Sequence, residues 1–545
     1  WVPKSRVLSL SMPYSFLVTQ PKLLVQSVIA TMLGWLIASS LATAERPSPA
    51  KPPGAYFPLH TKDHRAATSF RHGQPILGTT YFYWYDIDSN QHIFNRDGSD
   101  ALTTHPADMQ GLSYKRMDWH IDQLRDMVTA GIDFLMPVYW GVPGNYNSWS
   151  FTGLPPLVAA HDALIKEGVT PPAIGLFYDS SILQYNSLKT DESNVHIDLR
   201  TEFGKIFFYQ SIRDFFSLIP PQKWARVDGK PVVFLYAATF AKAQSADQFT
   251  DLRRRFKKDF GVEPFIVKMR DWQGDANATY QWGGSVHLQV DTHVAALGPG
   301  YDHTAVPGRR PLIVPRQDGR TYVDSWSQLL RQKPDRRPWM VHVETWNEWH
   351  EGTDIAASKE YGRSYIVLTR LFSNLWHANL HVNQKGPYTD AEQVSWDLQH
   401  SHGLVPDGQV ADGIWKQHTF GEISAIVSEH NPETPGGRYL YFSVDDSFAF
   451  DLTETTMQLT VVYRDAGCDS FHIQYDNVDP NRSVLDGAFR SLGNIQLQGS
   501  GKWLTATFTL PECRFANRCN YADFRLVING GARKLAVSQV MLRRI

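Results

Sequence analysis

VHVETWNEWHEGTDI, Val341 to Ile355, is the stretch on which the fold of this chain turns. Val341, Val343 and Thr345 alternate with His342, Glu344 and Trp346, the period of a strand. Glu348 and Glu351 follow three apart, and residues so spaced on a strand point to opposite faces. The two acids share a site only if the chain leaves the strand near Asn347 and turns. Gly352 tolerates the backbone angles such a turn requires. Acids flanked by Trp346, Asn347, Trp349 and His350 at a strand end point to sugar chemistry.

Outward from that stretch, between residues 65 and 378, strand-like and helix-like segments alternate, the mark of an α/β fold with a parallel sheet. Strands are expected over 76–85, 132–140, 173–179, 229–236, 264–269, 285–290, 311–315 and 339–346. Helices are expected around 117–128, 157–165, 203–218, 247–260 and 361–376. Eight strands make a (β/α)8 TIM barrel, whose catalytic groups lie at the C-terminal strand ends. The connections near 270–285 and 291–310 show no helical period and read as long loops roofing the site. Residues 379–412 are polar and irregular, a linker or edge segment. From 413 to 545 short alternating strands with turn residues between them predict an all-β, jelly-roll-like sandwich. In it Leu504, Ala506, Phe508 and Leu510 share one face, as do Phe524, Leu526 and Ile528.

Composition sets the class. Of 545 residues, 42% are hydrophobic and 20% charged, which fits a soluble globular protein of more than one domain, and a net charge of −2 gives no electrostatic reason to expect nucleic acid or an anionic membrane as partner. Leu23 to Ala44 carries no charge, follows Lys22 and ends in Ala42-Thr43-Ala44, so residues 1–44 read as a secretory signal peptide, with a single membrane anchor as the alternative. Met12 is the first candidate start. A proline-rich linker follows over 45–64, and the mature protein is expected to be secreted, periplasmic or at the cell surface, monomeric and off the membrane. Cys513 and Cys519 are spaced to close a small loop in an oxidising compartment, leaving Cys468 unpaired. No zinc-ligand spacing, dinucleotide glycine motif, P-loop or serine-nucleophile motif occurs, so no metal or cofactor is expected.

Aromatic residues make up 13% of the chain, and several cluster at predicted strand ends. The first strand ends in Trp84-Tyr85-Asp86, the second in Tyr139-Trp140, the third in Tyr178-Asp179, the fourth in Tyr236 and the eighth in Trp346-Asn347-Glu348. Singly each reads as barrel packing; five at one rim read as an aromatic, acidic cup for a neutral oligo- or polysaccharide. Glycosidic hydrolysis takes two carboxyl groups, a proton donor and a nucleophile or base, and Glu348 and Glu351 are the candidates. Asp86 and Asp179 are alternative acids or sugar-hydroxyl partners. Glu344, within the strand, reads as a buried acid paired with lysine or arginine. Among His105, His120, His293 and His350, each open to a purely structural reading, His350 lies between the two acids. Trp503, Tyr439 and Tyr441 are candidates for a sugar platform on the sandwich, with packing as the alternative.

TWNEWHEGTDI also resembles the N-E-W-H-E-G-T segment of the endo-α-mannosidases, glycoside hydrolase family 99, and of an uncharacterised bacterial group of glycosyl-hydrolase-like proteins with a β-rich C-terminal domain. Supporting matches run in order along the barrel: YFYWYD at 81–86, His105-Pro106, DWHIDQLRDMVTAGID at 118–133, DGKPVVFLY at 228–236 and PGYDHTAVPGR at 299–309. The resemblance implies that Glu348 is a base and Glu351 the general acid. The base would deprotonate the sugar's own 2-hydroxyl, which attacks the anomeric carbon through an epoxide-like intermediate, with net retention. It further implies an α-linked, internally cleaved glycan, with Tyr301 and Arg309 on a substrate-side loop. The stretch before Arg309 and the inter-strand loops depart from that family, so the sugar stays open. A non-hydrolytic carbohydrate-binding surface protein and a glycan-processing transferase are the alternatives.

Overall fold

Val341 and its neighbours form one strand of a nearly closed parallel sheet, between the first strand and the seventh. The computed structural model describes residues 50–545 apart from 66, 187–188, 191–192, 310–311, 384, 408–412, 430–438 and 480–486; residues 1–44, expected from sequence to be a signal peptide, lie outside them. Among the described residues the barrel strands are β1 (Ile76–Tyr81), β2 (Phe134–Tyr139), β3 (Leu176–Tyr178), β4 (Lys230–Leu235), β5 (Phe265–Met269), β6 (Ala278–Tyr280), β7 (Val294–Leu297) and β8 (Met340–Val343). They pair in the order β6-β5-β4-β3-β2-β1-β8-β7, every junction parallel. No ladder joins β6 to β7 among the described residues, so the ring is open there. β1, β2 and β8 are buried along their whole length, which is why they read as near-continuous apolar runs.

The sequence places the sixth and seventh strands wrongly. Of 285–290 only Gln289–Val290 is strand, and it runs antiparallel to β7. Ile313–Val314 leaves the barrel and pairs with Tyr301–Asp302 in a two-stranded hairpin. The true strands are three and four residues long, too short to carry a period.

Helices α1 (Met117–Ala130), α2 (Leu154–Lys166), α3 (Glu202–Leu218), α4 (Gln248–Phe260), α5 (Arg320–Arg331) and α6 (Ser364–His377) cover the outside. α5 was not expected, although Tyr322, Trp326, Leu329 and Leu330 bury one face at helical spacing. Its Trp326 ring lies flat on Phe372 of α6, centroids 5.3 Å apart, a contact worth about 0.5–1.5 kcal/mol beyond burial. Inside the ring, His342 is hydrogen-bonded to Thr80 and surrounded by Phe177, Phe234, Tyr280 and Trp282. Residues 50–64 lie along the helices: Gly54 N donates to Ser217 Oγ and Leu59 N to the Asp259 carbonyl.

Beyond the barrel two antiparallel sheets share one core. The first contains Gln393–Asp397, Ile414–Phe420, Ile423–Glu429, Thr455–Arg464, Trp503–Cys513 and Ala536–Arg544; the second contains Leu404–Asp407, Tyr439–Val444, Ser470–Tyr475, Arg490–Gln496 and Phe524–Asn529. Strand periodicity is plain in Thr455–Arg464, where Met457, Leu459, Val461 and Tyr463 alternate inward. The segment 379–412 thus supplies edge strands to both sheets. Cys468, Cys513 and Cys519 are buried thiols with no disulfide between them, which corrects the expected loop closure. Asp451 fastens the two domains: it accepts from Lys333 N at 2.8 Å and pairs with Arg336 and Arg514.

Candidate active site

Past β8 the chain closes a loop on itself. Thr345 N donates to the Thr353 carbonyl at 2.9 Å and Ile355 N to the Trp346 carbonyl at 3.0 Å, with Gly352 at φ 54° making the turn. Asn347 ties this loop to the end of β1: its amide donates to the Phe82 carbonyl and accepts from Phe82 N, both at 2.8 Å. Thr345 Oγ1 accepts from Glu348 N at 2.8 Å. The turn therefore does bring both glutamates to the barrel mouth.

Glu348 is almost wholly buried. Its Oε1 lies 2.7 Å from His350 Nδ1 and accepts from His350 N at 3.1 Å, and the Tyr85 hydroxyl stands 3.4 Å away. Its Oε2 is buried with no hydrogen-bond partner among the described residues. His350 Nε2 faces the His92 carbonyl at 2.9 Å, a contact only an N–H can satisfy, so Nδ1 and Oε1 hold one mobile proton between them. Burial pushes the Glu348 carboxyl above its ordinary value against the pull of His350, and the Glu351 charge adds to the rise. Burial opposes a proton on His350, but the Glu348 carboxylate outweighs it and raises the imidazole. The neighbouring His92 is pushed down to about 4 by burial and by His350.

Glu351 forms a close ion pair with Arg309. Arg309 also donates to the Tyr301 hydroxyl at 3.3 Å, and Asp302 N donates to the Glu351 carbonyl at 2.9 Å, docking the 301–314 hairpin on this residue. Glu344 is a third acid at the same place. Gly283 N donates to it at 3.0 and 3.2 Å, and no lysine or arginine pairs with it among the described residues, contrary to the reading from sequence. Burial pushes its carboxyl up to about 8, against the bonds from the 283–285 amides.

Opposite stand Tyr236, Asp179 and Trp140. Burial raises the Tyr236 hydroxyl, and the charges of Asp179, Glu351 and Glu344 add to the rise against the pull of Arg309. Asp179 accepts from Ser181 N and Oγ at 3.1 and 2.7 Å, and burial raises it while these bonds and Trp140 pull it down. Trp84 lies flat on His92, centroids 4.6 Å apart, and 5.6 Å from His350. Trp282 packs edge-on to Tyr236 at 5.5 Å. Acids and flat aromatic faces thus form one cluster, the cup, at the C-terminal ends of the barrel strands.

Six expected site residues lie elsewhere. Asp86 is buried against Lys115, Ser89 and Ser113, and those bonds overcome burial to hold it at about 2. His105 bridges Asp100 and Glu360 on the outside. Tyr139 is buried against Phe151 and Phe215, facing the helices. Trp346 turns outward to Gln123 of α1, Trp349 is buried against Tyr85, and Asn347 is consumed by the backbone of Phe82. Tyr85 sits behind Glu348 and accepts from Trp349 N. His92, Trp282 and the place of Glu344 in the cup were missed. Trp282 follows a misplaced strand and His92 lies in a loop without a period, whereas the alternation Met340, His342, Glu344 already pointed Glu344 inward. Tyr441 is buried under Asn520 and Arg525, which removes it as a sugar platform. Among the described residues no cluster of His, Cys, Asp and Glu could hold a metal ion.

Residues 63–387, the barrel with its flanks, match the family described as Domain of unknown function (DUF5010). The chain belongs to the DUF5010 family. No curated protein matches it. In three dimensions the DUF5010 chain is similar to a family 99 endo-α-mannosidase from Bacteroides thetaiotaomicron, at 14% identity over 56% of this chain and 98% of that one, TM-score 0.41. It is also similar to an isomalto-dextranase from Arthrobacter globiformis T6, at 10% identity over 90% of this chain and 99% of that one, TM-score 0.32. Over 28% of this chain and 98% of the other it matches a C-terminal carbohydrate-binding module from Zobellia galactanivorans, at 8% identity and TM-score 0.17.

Proposed function

We propose that this DUF5010 protein is a secreted glycoside hydrolase that cleaves an α-linked polysaccharide within the chain and retains the anomeric configuration. One observation carries the reading: Glu348, with its buried and unpartnered Oε2, and Glu351 reach the same aromatic-walled cup at the C-terminal end of β8. Hydrolysis of a glycosidic bond needs one carboxyl group to protonate the leaving oxygen and another to act as base or nucleophile. In this reading Glu348 takes a proton from the sugar's 2-hydroxyl through Oε2, and the 2-oxygen closes on the anomeric carbon as the glycosidic bond breaks. Water then opens this epoxide-like intermediate at the same carbon, the proton returns to the 2-oxygen, and the configuration is restored. His350, fixed by the His92 carbonyl, keeps Glu348 ionised by holding its own proton on Nδ1. Glu351 protonates the leaving oxygen, and Arg309 and Tyr301 orient it. Trp84, Trp140, Trp282 and Tyr236 supply faces on which sugar rings stack. We read the C-terminal sheets as a jelly-roll module that binds glycan.

A second reading, a non-hydrolytic glycan-binding protein, is favoured by the Arg309 guanidinium on Glu351, which occupies the acid. Incubation with a panel of α-mannans and α-glucans separates the two. Reducing-end release, with proton NMR showing the α-anomer first, is expected of the hydrolase; binding without release from any glycan overturns that reading.

A further inference from the structure

The barrel is open between β6 and β7; the chain there pairs with β7 only at Gln289–Val290, and side chains hold it further. Thr279 Oγ1 donates to Asp291 Oδ1 at 2.6 Å, and Arg270 Nε donates to Asp291 Oδ2 at 2.9 Å. The loop that spans the gap, 281–291, carries Trp282 of the cup and the Gly283 amide that holds Glu344. Beyond that short ladder and the bonds of Gly283 and Ser285 to Glu344, the loop takes a further contact from outside the barrel.

That contact comes from the sandwich. The Tyr521 hydroxyl accepts from Gln289 Nε2, and its ring lies 4.3 Å from that of His287 at 33°. Tyr521 and Asn520 have φ of 72° and 50°, a region that residues with a Cβ seldom occupy, so this turn is shaped by its surroundings. The surroundings are buried acids: Asp476 accepts from Ala516 N at 2.8 Å and pairs with Arg518 at 2.7 Å, and Asp523 accepts from Asn517 N at 3.3 Å. Burial raises the Tyr521 hydroxyl, Gln289 pulls it down, and the Glu344 carboxyl lies close enough to raise it again.

We infer that Tyr521 is a positioning residue for the cup: the sandwich, through this side chain, braces loop 281–291 and so sets Trp282 and Glu344. The sandwich is then part of the reaction site's architecture and more than an appended module. The functional half of this inference rests on the reading of the cup as a glycosidase site; the structural half does not.

Full-length Y521A, Y521F and Q289A are compared with wild type by amide hydrogen exchange and by kinetics on a cleaved glycan. Exchange in 281–291 is expected to rise about tenfold or more in Y521A, while β1 to β4 and Thr455–Arg464 stay as in wild type. Turnover is expected to fall about tenfold, with kcat carrying more of the loss than KM, because misplacing groups around the reacting centre acts on the chemical step. Y521F keeps the ring on His287 and is expected to fall between the two. If Y521A fails to fold, Q289A puts the same question from the barrel side, with the same local rise expected. Exchange in 281–291 and kcat both within about twofold of wild type in a folded variant, even one that melts earlier, overturns the inference. Retained turnover in E348Q would instead sink the assignment of the base to Glu348, while the absence of release from any glycan by wild type would sink the hydrolase reading; either leaves the exchange result standing.

Discussion

Replacing His350 with alanine removes the nearest and the only cationic side-chain partner of the Glu348 carboxylate among the described residues. The contact is 2.7 Å from Nδ1 to Oε1, between two groups that are both nearly buried. Around them stand Glu351, His92, Tyr85 and Trp84, none of which donates to Oε2. A hydrogen bond to a charged partner contributes about 1.5–3 kcal/mol. Its loss shifts Glu348 toward the protonated form that burial already favours. A protonated Glu348 cannot act as base, so the acid limb of the rate profile moves to higher pH. At a fixed pH on that limb the rate falls roughly tenfold to a hundredfold, since each 1.4 kcal/mol is about a factor of ten. The assay is kcat/KM against pH for wild type, H350A and H350N on a glycan that the wild type cleaves. H350N restores a neutral donor and is expected to move the limb less. An acid limb at the same pH in H350A, with the loss equal at every pH, would refute the proton-sharing account.

Two stability measurements test the frame around the site. Asn347→Ala strips partners from the buried N–H and C=O of Phe82 and is expected to cost about 2–4 kcal/mol in denaturant unfolding; a loss under about 1 kcal/mol would show that the β1–β8 junction does not depend on it. Because Cys468, Cys513 and Cys519 form no disulfide, a reducing agent is expected to leave the melting temperature unchanged, and three thiols should titrate only after unfolding. A melting temperature that drops under reduction contradicts this.

The barrel was legible where strands were six residues long and buried, as in β1, β2 and β4, and at the four-residue β8 because its alternation runs on past the ladder to Trp346. It was illegible at β6 and β7, because Ala278–Tyr280 and Val294–Leu297 have too few positions to show a period. SVHLQV and PLIVP, which alternate or cluster more convincingly, form mostly turn and hairpin. Assigning a strand to the second of these obscured α5, whose helical spacing begins seven residues beyond it at Tyr322. The acids at the end of β8 could be found because a strand end and a turn sit side by side in sequence. The aromatic wall could be found only in part. Residues at one strand end alternate between cup and helices, so Trp140 and Trp84 face the site while Tyr139 and Trp346 do not. Asp86 looked free because its partner Lys115 is brought to it only by the fold.

The most direct test of the central claim is turnover in E348Q and E351Q, purified as folded proteins, on the glycan that wild type cleaves best. Each variant is expected to lose about 10²–10⁴-fold in kcat, the usual share of a general acid or base, while glycan binding by calorimetry stays within about threefold of wild type. Turnover in either variant within about tenfold of wild type would contradict the assignment of the chemistry to these two carboxyl groups.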